Sequence, residues 1–284
     1  MVAGRGLRSM LRPMHCHADW IIPDWPAPAG VRAVFTTRAN GVSRAPYDSM
    51  NLGAHVGDSA GAVLANRACL RSAIGAQPVF LDQVHGSRTL VIDAQTGDGQ
   101  AADACVTAQR KTACTIMVAD CLPVLLTTEV GDVVAAAHAG WRGLCGIGGV
   151  GGSGGQGVLE SVYSSFIALA QAGHATTAIK TIAWLGPCIG PKDFEVGAEV
   201  RAAFVAAGPE AAACFADAGA GKFLADLPAL ARLRLRALGV KRIHGNDGSP
   251  PWCTVSHPSR FFSHRRDAAI EGATGRMAAC VWLD

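Results

Sequence analysis

The apolar residues of this chain come in runs of strand length, and the longest, ACTIMVADCLPVLLTT (113–128), is interrupted at its middle by Asp120 and Pro123. A continuous apolar run suits a strand buried on both faces, whereas an amphipathic helix returns to polar residues every third or fourth position. No run reaches the roughly 18 residues that a membrane-spanning helix needs. The chain must therefore bury several short strands against other elements. Further strands are predicted over Val31–Thr37, in PVFLDQVHG and RTLVID on either side of a turn at Gly86–Ser87, over Val130–Ala137, in TIAWLGPCIG and in the C-terminal RMAACVWLD, with FFSHRRD as a strand and loop before it.

Helical periodicity lies between these runs. It covers SAGAVLANRACLRSAIG, which closes on Gly75, then Val158–Ala172, Ala198–Ala207 and Leu227–Leu238, the last closed by Gly239. Strands and helices are mixed throughout, with no repeat and no linker. The 284 residues, 50% of them hydrophobic, suit one large core, and a single α/β domain is expected over 20–284. Residues 1–19 are basic without an apolar stretch, so they read as a disordered extension rather than a secretory signal. The Gly-rich stretch 146–157 cannot pack a core and reads as a loop. A net charge of +3, scattered along the chain, leaves no nucleic-acid footprint. The ten cysteines lie far apart, as expected of reduced thiols in a cytoplasmic protein.

Three of the predicted strands end on chemically capable residues: FLDQVHG on His85, TIMVADCLP on Asp120 and Cys121, and VVAAAHAGWRG on His138. Functional side chains of α/β proteins gather at strand ends. Two imidazoles and a thiolate suit zinc and leave a fourth position open, as in catalytic rather than structural sites. Asp120 and Gln83 would orient the ligands. The same residues also describe a Cys121–His138 nucleophile pair oriented by Asp120 or His85, or, taken singly, hydrogen-bonded core residues. No CxxC or HExxH motif decides among these. Arg38, Arg142, Arg265 and Arg266 lie in predicted loops, where a guanidinium either grips phosphate or carboxylate or is simply solvated. Asn51 sits nearby in SMNLG. Asp103 is a site carboxylate or a turn residue, and GPCIGP (186–191) an anion-binding backbone or a rigid turn.

Taken together, DQVHG, ADCLPVLL, HAGWRGL, WLGPCIGPKDFEVG and FFSHRRD with GRM, in that order between about Trp20 and Asp284, resemble the laccase-domain family, formerly labelled multicopper polyphenol oxidase and now described as purine nucleoside phosphorylase. The resemblance implies a single-domain α/β fold in which layers of helix enclose a mixed β-sandwich, similar to toxin-deamidase-like cysteine hydrolases. It implies zinc on His85, Cys121 and His138, with copper as an alternative ion, and a polar pocket at Arg38, Asn51, Gln83, Asp120 and Arg142. Two features depart from the family: a longer Gly-rich stretch, and His264 where tyrosine is frequent.

The implied activity is phosphorolysis of adenosine, inosine and S-methyl-5′-thioadenosine, with deamination of adenosine as a second reaction. Purine nucleosides and phosphate would be the partners of a monomer that binds neither nucleic acid nor membrane. Zinc-bound water with Asp120 as proton shuttle would serve deamination. Arg38 or Arg142 would hold phosphate, and His85 or His138 would protonate the leaving base only if free of metal. The alternatives are a hydrolase using Cys121 to edit peptidoglycan precursors, or a weak copper-dependent polyphenol oxidase. A true multicopper oxidase needs many paired histidines, and the only His-x-His pair among nine histidines is His15 with His17.

Overall fold

A computed structural model describes residues 19–147, 156–172 and 179–284. The expected extension, apart from Asp19, and residues 148–155 of the Gly-rich stretch lie outside the described residues. The elements in chain order are β1 (Val31–Phe35), α1 (Ala60–Ile74), β2 (Gln77–Phe80), β3 (Thr89–Val91), β4 (Ala104–Thr107), β5 (Thr112–Val118), β6 (Leu122–Thr128), β7 (Val134–Ala139), α2 (Trp141–Cys145), α3 (Val158–Ala172), β8 (Thr181–Leu185), β9 (Glu195–Gly197), α4 (Ala198–Ala207), β10 (Phe215–Gly219), β11 (Lys222–Ala225), α5 (Leu227–Ala237), β12 (Arg242–Gly245), α6 (His264–Glu271) and β13 (Met277–Leu283).

The strands form a four-stranded sheet, β1-β13-β5-β2, a six-stranded sheet, β12-β8-β6-β7-β4-β3, and a small sheet, β10-β11-β9. Parallel and antiparallel pairs occur in both large sheets. The large sheets face each other across Phe35, Ile116, Leu125, Ala136, Trp184 and Val281. On the outer face of the six-stranded sheet, Val124, Ala135 and Ala137 meet Val162 and Phe166 of α3 and Leu230 of α5. On the outer face of the other, Leu70 of α1 packs with Met50, Phe80 and Cys280. Helices thus enclose a mixed β-sandwich, the architecture the resemblance implies. Every residue of β5, β6 and β7 is buried, because each strand is covered on both faces, which is why their sequences run apolar without alternation.

Several elements differ from the sequence expectation. FFSHRRD is not a strand: Ser263 caps α6 by accepting the Arg266 N–H at 3.2 Å. The strands expected on either side of Gly86–Ser87 are shorter than expected, β2 stopping at Phe80 and β3 starting at Thr89, so His85 lies in the loop between them rather than at a strand end; the two strands enter different sheets. Among the described residues eight cysteines are free thiols, but Cys69 is disulfide-bonded, against the expectation of reduced thiols throughout. No helix among the described residues is long and apolar enough to cross a membrane.

Candidate metal centre

The chain passes from one large sheet to the other between β5 and β6, through Ala119, Asp120 and Cys121. Asp120 takes a φ of 87°, a region that residues with a Cβ rarely occupy. Its carboxylate fastens the crossing. Oδ1 accepts from the Thr254 hydroxyl at 2.5 Å, and Oδ2 from the Ser263 hydroxyl at 3.0 Å and the Arg265 N–H at 2.6 Å. Cys121 is thereby set at the open end of the sandwich. His138, opposite Pro123 in β7, keeps the period-2 alternation that turns Val134 and Ala136 toward the other sheet. It is 3% exposed.

Asp103, wholly buried ahead of β4, ties both histidines into the site. It accepts the backbone N–H groups of Val84, His85 and Gly86 at 3.3, 2.9 and 2.6 Å, closing the turn in which His85 takes a φ of 58°. The same carboxylate lies 2.9 Å from His138 Nδ1. That contact leaves Nε2 of His138 as the ligand atom, the carboxylate–histidine arrangement common around metals. Burial opposes the Asp103 charge, but His138 and the amide donors outweigh it and hold the carboxyl below its usual value.

The ligand atoms of His85, Cys121 and His138 lie within 4.8 Å of one another, and Cys121 Sγ is 3.8 Å from His85 Nε2. A tetrahedral zinc with Zn–N of about 2.0 Å and Zn–S of about 2.3 Å separates its donors by roughly 3.3–3.6 Å. The donor set fits such an ion, which would draw the three atoms closer together than they stand here. Gly140 completes the cradle: a Cβ there would lie 2.9 Å from His85 Cδ2 and 3.1 Å from Cys121 Sγ.

Burial raises the Cys121 pKa, but His138 and His85 overcome this and bring it from 9.0 to about 6. Burial lowers that of His138, but Cys121 and Asp103 raise it from 6.5 to about 9. Metal-free protein therefore holds a thiolate–imidazolium pair at neutral pH. The depressed thiol stabilises the fold above pH 9 and loses that contribution as pH falls toward 6. The raised imidazole stabilises it below pH 6.5 and loses that contribution as pH rises toward 9. Folding then exchanges almost no net proton between these limits. The melting temperature of chelator-treated protein is expected to be nearly flat from pH 6.5 to 8.5. A steep slope in either direction over that range contradicts the pair.

The three residues border a cavity of about 350 Å³, within the range of small-molecule sites. Gln83 lines it with its amide clasping Met117, accepting the backbone N–H at 2.7 Å and donating to the carbonyl at 2.8 Å. Arg265 and His264 line it from α6, whereas His55 and Arg276 line it without having been singled out in the sequence. Arg276 directly precedes β13, at a strand start, which the expectation of chemistry at strand ends does not cover.

Other expected pocket residues are placed elsewhere. Arg38 donates to the carbonyls of Asp48 and Pro258, both at 2.9 Å, beside a different depression. Arg142 stacks on Trp141 and is exposed. Asn51 is buried behind the cavity wall, accepting the Arg276 N–H at 2.9 Å. Arg266 anchors backbone carbonyls and pairs with Asp267. In GPCIGP the N–H groups of Gly186, Cys188, Ile189 and Gly190 all donate within the protein, so the segment is a rigid turn rather than an anion cradle.

Residues 32–284 match the family described as multi-copper polyphenol oxidoreductase laccase, and the chain belongs to it. Among similar proteins, a purine nucleoside phosphorylase of Pseudomonas aeruginosa is 48% identical over 93% of this chain and 98% of its own length. The purine nucleoside phosphorylase YfiH of Escherichia coli is 46% identical over the same shares. A crystal structure of a Neisseria meningitidis protein superposes with a TM-score of 0.80 at 44% identity, covering 94% of this chain and 99% of that one.

Proposed function

We propose that this protein is a purine nucleoside phosphorylase acting on adenosine, inosine and S-methyl-5′-thioadenosine, and that the same site deaminates adenosine. The observation that carries the reading is the His85–Cys121–His138 group on a cavity that combines apolar walls with cationic donors. The names of the relatives support it. Zinc, held by these three residues, would supply positive charge and a water acidified toward neutrality. Phe194, Ile189 and Leu227 offer the apolar wall that a purine ring needs. Asp120 has both carboxylate oxygens engaged and holds the crossing rather than carrying protons. Burial and the Arg276 charge lower the pKa of His55, so a neutral imidazole lines the cavity at pH 7.

The test is to incubate adenosine with and without phosphate and separate the products. Adenine and ribose 1-phosphate are expected only with phosphate, and His138→Ala should lose this activity by about 10³-fold. Inosine formed in both tubes reports the deaminase. Absence of ribose 1-phosphate from the wild type would sink the phosphorylase reading.

The 2.9 Å contact between His138 and Asp103 favours one second reading, because thiol, imidazole and carboxylate then stand in the order of a cysteine hydrolase. A Cys121-dependent enzyme editing peptidoglycan precursors would stay active after chelation, whereas the zinc-dependent phosphorylase would not.

A further inference from the structure

Two arginines line the cavity, and their donors are used differently. Arg265 spends both terminal nitrogens on backbone carbonyls, Nη1 on Asp193 at 3.2 Å and Nη2 on Glu195 at 3.1 Å. Arg276 spends only Nη1, on the carbonyls of Thr274 and Gly275 at 3.0 and 3.1 Å. Among the described residues its Nε and Nη2 meet no acceptor, and no carboxylate pairs with it. It is half-buried. A guanidinium taken partly out of water without a counter-charge is costly, and a bound anion removes that cost.

The stem of Arg276 is also firmly placed. Its N–H donates to Asn51 Oδ1, which accepts the Gly53 N–H at 2.9 Å as well. Asn51 is wholly buried, and its Nδ2 donates to Asp58 at 2.9 Å. Gly53 leaves room for the side chain, since a Cβ there would lie 2.8 Å from Arg276 Cγ. Burial lowers the Arg276 pKa, and the more distant Cys121 and Asp120 charges do not offset it.

We infer that Arg276 binds the phosphate co-substrate through its free Nε and Nη2 edge, with Asn51 as the residue that positions it. The inference rests on the phosphorylase reading. Hydrogen phosphate forms a bond from oxygen to C1′ while the C1′–N9 bond breaks. The electron pair of that bond stays on the purine nitrogen, which takes the proton that the phosphate gives up. A planar guanidinium edge suits two oxygens of one tetrahedral anion, and Lys cannot reproduce the fork.

The test varies phosphate at saturating adenosine in wild type, Arg276→Gln and Arg276→Lys, with melting curves for each. The KM for phosphate is expected to rise about 10- to 100-fold in Arg276→Gln, with partial recovery in Arg276→Lys, while the adenosine KM stays within about twofold. An unchanged phosphate KM in either folded variant overturns the inference. Calorimetric titration with inorganic phosphate and with adenosine 5′-monophosphate separates the sources. Weakened binding of the nucleotide alone overturns it too, since the anion would then be a phosphate carried by the substrate. Should the wild type form no ribose 1-phosphate, the functional reading fails by itself. Titration with inorganic phosphate then decides whether Arg276 is an anion site.

Discussion

Asp103→Ala is expected to lower zinc affinity by about 10- to 100-fold and to destabilise metal-free protein by about 3–5 kcal/mol. The carboxylate accepts three consecutive backbone N–H groups around His85 and holds His138 Nδ1. Its removal strands those donors around a side chain that is itself 0% exposed. His85 then has nothing to hold its left-handed backbone, and His138 loses the contact that fixes its ring. Zinc competition with a chromogenic chelator reads the first effect, and urea denaturation reads the second. Asp103→Asn should fall between, since one amide oxygen replaces two carboxylate oxygens. An Ala variant that binds zinc as tightly as wild type would show that the histidines are held by packing alone.

Gly140→Ala should produce the opposite profile, with turnover down about 100-fold and the stability of metal-free protein changed by less than about 1 kcal/mol. The backbone at Gly140 has a φ of −67°, open to any residue, so conformational freedom is not what the glycine supplies. Space is. The added methyl would press on the His85 ring and the Cys121 sulfur. Those atoms move apart easily when no ion binds them together but cannot when one does. Comparing thermal shifts with and without added zinc measures this: the stabilisation zinc gives to wild type should largely vanish in the variant. A full zinc shift together with full activity would remove Gly140 from the argument.

The sandwich strands were legible because β5, β6 and β7 are apolar on both faces, a pattern that no surface helix imitates. The bounds expected for α3 and α4 match those seen, since both helices carry clean apolar spacing. The small sheet was not legible: Phe215–Gly219 is largely exposed and Lys222–Ala225 is only four residues long, so neither makes an apolar run that stands out. In α6 no residue is buried, so no apolar stripe advertises the helix and only the Ser263 cap does. At the site, His85, Cys121 and His138 could be found because chemistry at a predicted strand end stands out against an apolar run. Asp103 could not be separated from a turn residue, because its role depends on a partner 35 positions away. Arg38 and Arg142 were singled out by their charge in predicted loops and by the resemblance, and neither says which way a side chain points.

The crossing at Asp120 has a consequence for how the molecule comes into being. Its three side-chain ties reach 134, 143 and 145 residues along the chain, and β13, inserted between β1 and β5, follows them. On the ribosome, Cys121 emerges long before Thr254, Ser263 and Arg265, which fasten it through Asp120, whereas Asp103 is already made when His138 appears. The nascent chain therefore exposes two imidazoles and a thiol without a finished pocket. The setting of the Cys121 sulfur beside the two histidines is therefore a late event, dependent on Thr254, Ser263 and Arg265.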